Sequence, residues 1–405
     1  MIAKNWKKFP VLFSLYIAQA VPMSFFSTVV PVIMRQEQYS LESIGLLQLV
    51  KLPWIFKFIW APFVDSNAQT RKQINRWIII SELFYAVVII SLGFFDLETD
   101  FRLMIVLIVL AFVASATQDI ATDIFAILVL KKEERSFGNS MQSGGSFVGS
   151  LLGTGVLLLA YYYFGWQNLL FILAAFVGFA IIPLILYKPD VSKPADEQKK
   201  RVKLKEVFLF FADPACRRHL LLLLFYYSGI IGVLAMLKPY MVDLGYNVKE
   251  IGFMSGIVGT STAALAALAS GYIIKRIGRK ASFYLYAFIN VLAATYFYII
   301  SLQEPSTMQI YAGICLLWGA YGLSTVIIYT SSMDKVRKNR EGTDFTVQIV
   351  VTHLSGIIMA ILSGRVGDAF GYNGLFFMEI ILGTFALIIV FYNYPVFFKK
   401  NRKDI

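Results

Sequence analysis

Residues 101–130 read FRLMIVLIVLAFVASATQDIATDIFAILVL, thirty positions whose only charges are Arg102 at the start and Asp119 and Asp123 near the end. About 20 mainly apolar residues suffice for a helix to cross roughly 30 Å of hydrocarbon. This stretch therefore reads as a membrane span with two acids inside it. Asp119 and Asp123, four apart, lie about 40° from each other around a helix, so one face presents both carboxylates, with Gln118 and Thr122 alongside.

The rest of the chain has the same character. Of 405 residues 58% are hydrophobic and 15% charged, with a mean hydropathy of +0.67, against about 25% charged in a soluble domain. Twelve apolar windows can be placed: 9–34, 43–64, 76–95, 102–130, 138–163 and 166–187, then 218–242, 250–274, 281–302, 307–333, 344–368 and 372–398. The apolar run that starts after Lys8 passes the small triplet Ala18-Gln19-Ala20 and continues to Ile33, which suits a retained first span better than a cleaved leader.

The net charge of +12 would suggest nucleic acid if it formed a face on a soluble domain, but it sits between the apolar windows. Of 37 basic residues, 30 fall in alternate loops and the termini, 3 on the opposite side and 4 within spans. KKEER at 131–135, KRIGRK at 275–280 and DKVRKNR at 334–340 mark the cytoplasmic side. The expectation is an all-α integral membrane protein of twelve transmembrane helices with both termini cytoplasmic, a monomer in a bacterial inner membrane, binding no nucleic acid.

One long polar stretch, containing KPADEQKKRVKLK at 193–205, divides the chain. The expected organisation is a six-helix bundle over 1–187, a cytoplasmic linker over 188–217 and a second six-helix bundle over 218–405. ERSFGNSMQSGGSFVGS (134–150) and REGTDFTVQIVVTHLSG (340–356) share spacing and small polar residues, a trace of internal repetition of the kind found in transporters.

A charge at a helix centre costs about 2.5–3.5 kcal/mol on insertion scales and usually faces a cavity. Besides the two aspartates, Lys51 and Lys57 lie inside LVKLPWIFKFIWAPFVD (49–65), which Asp65 closes. Lys57 and Asp123 each stand about eight residues from the cytoplasmic end of their spans, a depth that would let Lys57 pair with Asp119 or Asp123. The alternative is that Lys57 snorkels to the headgroups. His353 lies deep in the eleventh window and is open to two readings, proton relay or packing residue. Arg365 and Asp368, near the outer end of that window, read as an ion pair or outer gate. Gly145, Gly149 and Gly153, and again Gly252 and Gly256, form small-residue stripes that suit close helix packing or a sliding surface.

SGYIIKRIGRK (270–280) resembles the cytoplasmic loop signature of the major facilitator superfamily, with Gly271, Arg276, Gly278 and Arg279 at its positions; APFVDSNAQTRKQ keeps Asp65, Arg71 and Lys72 of a degenerate first copy. KFIWAPFVD and ATQDIATD together resemble the branch containing muropeptide permeases of the AmpG type, acetyl-CoA transporters and siderophore importers. By that resemblance Lys57, Trp60, Pro62, Asp65, Gln118, Asp119 and Asp123 match the branch motifs, while GTDFTVQ (342–348) looks closer to the siderophore importers.

Cys216 and Cys315 stand far apart and suggest neither disulfide nor metal site, and no GxxxxGK phosphate loop is present. No cofactor is expected. The leading expectation is a secondary transporter that imports an amphipathic organic solute with protons, with Asp119 or Asp123 carrying the proton and Gln118, Lys57, Lys51 and His353 around the cavity. Asp65, Gly271, Arg276, Gly278, Arg279, Arg365 and Asp368 are expected to serve gating. Efflux by proton antiport is the alternative, and a membrane-embedded acyltransferase using His353 a remote one.

Overall fold

A computed structural model describes residues 6–36, 38, 47–95, 100–188 and 201–393. Helix α1, Lys8–Ser24, runs through a π turn at Phe25–Val29 into Val30–Gln36. Pro22 and Pro31 bracket that turn, and each removes a backbone bond that a regular helix would make.

The second apolar window does not form one helix. A 3-10 turn at Gln48–Lys51 leads into α2, Leu52–Phe56, then a second 3-10 turn at Lys57–Ile59 and α3, Ala61–Asn67. Pro53 and Pro62 occupy the first turns of α2 and α3, where proline's missing N–H costs nothing, so both restart a helix after a break. Thr70 and Gln73 then cap α4, Arg71–Leu92, reciprocally. Next come α5, Phe101–Val129, α6, Arg135–Leu151, and, beyond a π turn at Leu152–Val156, α7, Leu157–Phe179.

Residues 201–204 hold to Ser66 through Val202, whose N–H donates to Ser66 Oγ at 2.8 Å. Part of the expected linker is helical: α8, Lys205–Ala212, and α9, Pro214–Tyr226, which begins before position 218. Val207 and Phe210 anchor α8 in the core of the second half, while the apolar Phe208, Leu209 and Phe211 are exposed. Glu206 ties α8 down by accepting from Arg340 at 2.8 Å. That hydrogen bond, with the charges of Arg340 and Arg337, holds the Glu206 carboxyl below the usual carboxylate range, so the tie is present at neutral pH and is lost as pH falls through the lowered value. The stretch 189–200 of the expected linker lies outside the described residues.

The longer helices that follow are α10, Ser228–Asp243, α11, Thr260–Ser301, α12, Thr307–Asp334, and α13, Glu341–Asn393. Among the described residues eight helical stretches are long and apolar enough to cross a membrane. Three of these, Lys132–Leu186, Val248–Ser301 and Glu341–Asn393, run to 53–55 residues, about twice what one crossing needs. Each turns at a glycine with positive φ: Gly165 (+71°), Gly278 (+84°) and Gly371 (+68°), a conformation glycine adopts without the Cβ penalty.

Helix α4 packs on α5 and α7, α1 on α6, α10 on α13, and α11 on α12. Contacts between the first and second halves of the sequence run mainly from α6 to α11 and α12 and from α13 to α5 and α3. Two apolar clusters each draw on one half, one within 21–177 and one within 207–390; a third joins Phe125 and Ile124 to Met333, Phe345 and Ile349.

The glycine stripe of α6 is a packing seam. A Cβ on Gly149 would meet that of Ala20 at 2.7 Å, and one on Gly153 would strike the Val21 carbonyl. Gly252 and Gly256, by contrast, have open space where a Cβ would go, so the packing expected of that second pair is absent and Gly259 makes the close approach, against Trp318. Gly153→Ala should thus lower the thermal unfolding midpoint in detergent, with overpacking of about 1–3 kcal/mol, whereas Gly155→Ala, whose Cβ meets nothing within 4 Å, should be neutral or slightly stabilising.

Candidate functional site

The break between α2 and α3 sets Lys57 at the inner wall of the protein, 1% exposed, where its ammonium pairs with Asp119 of α5 and lies 4.7 Å from the Trp54 ring centroid. One turn further along α5, Asp123 accepts from the Tyr16 hydroxyl at 2.6 Å and from Gln142 Nε2 at 3.5 Å. Gln118 accepts from Gln19 of α1. Helices α1, α5 and α6 and the broken segment thus supply one network: two carboxylates, one cation, one phenol and three amides.

This network lines a cavity of about 180 Å³, bounded toward the second half by Tyr329, Phe345, Ile349 and His353. A larger cavity of about 720 Å³ shares Met23, Trp54, Tyr329 and His353 with it and continues between Lys51, Lys238, Tyr227, Tyr321 and Trp318. A small charged chamber therefore opens on a large aromatic one. Among the described residues the indole N–H groups of Trp54 and Trp318 have no acceptor. Buried donors without partners are costly, and a solute oxygen could satisfy them.

At the end carrying the basic loops the two halves are clamped. Asp334 pairs with Arg135 at 2.9 Å and with Arg279 at 2.7 Å, and Arg279 also donates to the Lys132 carbonyl at 2.6 Å. Asp65, fully buried, accepts from both the backbone N–H and the hydroxyl of Thr343, each at 3.0 Å. The Gly271 N–H donates to Ser140 Oγ at 2.8 Å, where any side chain on residue 271 would collide with α6.

Of the residues the sequence nominates, Lys57, Asp119, Asp123 and His353 line the small chamber, Gln118 stands behind it bonded to the lining Gln19, and Lys51 borders the large one. Asp65, Gly271 and Arg279 lie in the clamp, and Gly278 makes the turn. Arg276 is exposed. Arg365 and Asp368 are exposed too, and among the described residues no ion pair joins them, so the expected pair is not formed. Sequence reasoning missed Tyr16, Gln19, Gln142 and Asp334. Tyr16 and Gln19, three apart in an otherwise apolar helix, were a signal that a polar face exists there.

Removing one member of a buried ion pair strands the other charge at about 3–5 kcal/mol. Lys57→Met should therefore lower the unfolding midpoint sharply, and the double variant Lys57→Met/Asp119→Asn should recover most of that loss. Equal destabilisation in both would show that the pair is not the cause.

Comparison with known proteins agrees with this architecture. The family profile described as the Major Facilitator Superfamily matches residues 12–358. An anhydromuropeptide permease of Escherichia coli (strain K12) is 22% identical over 384 residues, covering 94% of this chain and 78% of that protein. An uncharacterized protein of Haemophilus influenzae is 22% identical over 399 residues, covering 94% and 93%. A bacterial homologue of the iron transporter ferroportin, solved in an outward-facing state, superposes with a TM-score of 0.71 at 15% identity, covering 96% of this chain and 98% of that one. The chain belongs to the Major Facilitator Superfamily of membrane transporters.

Proposed function

We propose that this transporter carries an amphipathic, anionic organic solute into the cell by symport with protons, and that Lys57, Asp119 and Asp123 couple the two fluxes. The observation that carries the reading is a buried cation paired with one of two neighbouring carboxylates on the wall of a cavity between the halves. One ammonium balances one carboxylate; a proton on the other brings the cluster to neutrality. A solute carboxylate that draws Lys57 away leaves Asp119 without its partner, and Asp119 then takes a proton. Solute and proton thus enter together, because either alone leaves an uncompensated charge.

The large chamber suits the solute's other half. Trp54, Trp318, Tyr227, Tyr321 and Tyr329 offer ring faces and donors, while Lys51 and Lys238 offer cations. Sugar rings with a short acidic peptide fit that lining, which, with the anhydromuropeptide permease among the relatives, favours a muropeptide-like solute over a siderophore-like one.

The three doubled helical segments and the broken one, added to the other five crossing helices, support twelve spans with the basic loops and termini on the cytoplasmic side of the inner membrane, in two bundles of six joined by the linker. On that orientation the Asp334 and Asp65 contacts close the cytoplasmic path, and the chambers are reached from outside. Alternating access then requires those contacts to break as the bundles rock about the small-residue crossing of α6 and α11.

Asp119→Asn and, separately, Asp123→Asn should abolish accumulation of labelled anhydromuropeptide in proteoliposomes under an inward proton gradient, while insertion and solute exchange persist. Full accumulation by both variants would defeat the coupling role. Asp334→Asn should favour the cytoplasm-open state: an Ile349→Cys reporter should be labelled from the cytoplasmic face about tenfold faster if the lost contacts are worth ~1.4 kcal/mol, and unchanged labelling would rule the clamp out.

A further inference from the structure

Glu82, halfway along α4, lies outside both chambers, in the interior of the first bundle. It is 1% exposed, and neither carboxylate oxygen has a hydrogen-bond partner among the described residues. The buried Tyr85 hydroxyl lies close enough to feel the charge of Glu82, and it faces the buried Ser115 of α5. Helix α7, packed on the other side of α4, carries no acidic or basic side chain. Asp65, on α3 below, is engaged by Thr343. Asp119 stands one turn from Ser115 along α5, with Lys57 as its partner.

The second half of the chain shows what this position holds when its task is structural. Arg71 and Lys72 open α4 as Arg279 and Lys280 open the corresponding stretch of α11, and eleven residues beyond each arginine stand Glu82 and Asn290. Asn290 is satisfied: its Oδ1 accepts from Ser324 at 3.1 Å and its Nδ2 donates to the Tyr226 carbonyl at 3.4 Å. An amide therefore serves the architecture. Where the repeat has a satisfied amide, the first half has an acid with both oxygens free.

An ionised carboxylate there would have no paired cation and accept no hydrogen bond among the described residues, a cost that a buried group escapes by holding a proton. We propose that Glu82 is a second proton-binding site of the transporter, distinct from the Asp119–Asp123 cluster and linked to it by way of Tyr85 and Ser115. Glu82 holds a proton as the neutral acid in the cytoplasm-closed state and releases it when rocking admits water. The carboxyl O–H bond breaks in that step, leaving the carboxylate, and the proton passes to the admitted water, which carries it to bulk solvent. The inference deepens the proton-coupled reading and rests on it, since a second site adds a proton to each solute carried.

Two measurements decide it. In pH-difference infrared spectra of the purified transporter in vesicles, Glu82→Gln should remove one neutral-carboxyl C=O band; retention of every such band overturns the proposal. In proteoliposomes, protons entering per labelled anhydromuropeptide, counted with an internal pH dye, should fall to about half in Glu82→Gln while solute still enters. An unchanged ratio also overturns it. Glu82→Asn, which copies the repeat, guards against a misfolded glutamine variant. If the unaltered protein moves solute without protons, the coupling reading fails by itself, and the infrared band alone decides whether Glu82 holds a proton.

Discussion

Charge inside hydrocarbon is the constraint from which the rest of this molecule follows. A lysine and two aspartates at mid-depth would each cost about 2.5–3.5 kcal/mol alone, and they coexist because Lys57 meets Asp119 while Tyr16 and Gln142 engage Asp123. That meeting demands particular geometry. Lys57 reaches the inner wall because its helix is broken, and the break exists because Pro53 and Pro62 restart the backbone on either side. Unwound backbone at such depth is tolerated where it lines a cavity rather than lipid.

The same constraint separates the two ends of the molecule. Basic loops concentrate at one end, and there the charges are solved by pairing: Asp334 joins Arg135 of the first half to Arg279 of the second, and Arg337 holds Asp344 bidentately within the second half at 2.7 and 2.8 Å. These contacts sit partly in water, so each is worth less than the buried pair and is easier to break.

Much of the fold was legible because apolar length and basic-loop asymmetry act locally along the chain. The positions of Gly165, Gly278 and Gly371 at turns, and of Asp119 and Asp123 on one face, follow from spacing alone. The broken segment was less legible, since LVKLPWIFKFIWAPFVD has the hydropathy of a continuous span and the consequence of two prolines depends on what packs beside them. Among the polar meetings, depth along the spans pointed to Lys57 with Asp119 or Asp123, and Lys57 does pair with Asp119; the others were not legible. Tyr16 and Asp334 are unremarkable in sequence and matter through partners 107 and 199 positions away, and Gln142 through one 19 positions away on the preceding helix. The stripe at Gly252 and Gly256 shows the converse error, in which spacing suited to packing meets open space. Glu82 escaped notice beside the more conspicuous pair on α5.

Trp54 occupies an unusual place, its ring against the Lys57 ammonium and its edge shared by both chambers. Indole emission responds to nearby charge and to the polarity of its surroundings. With the other five tryptophans replaced, light emitted by this one side chain would register the movement of Lys57 and the arrival of solute in real time, giving the transporter an optical signal of its own working state without an attached dye.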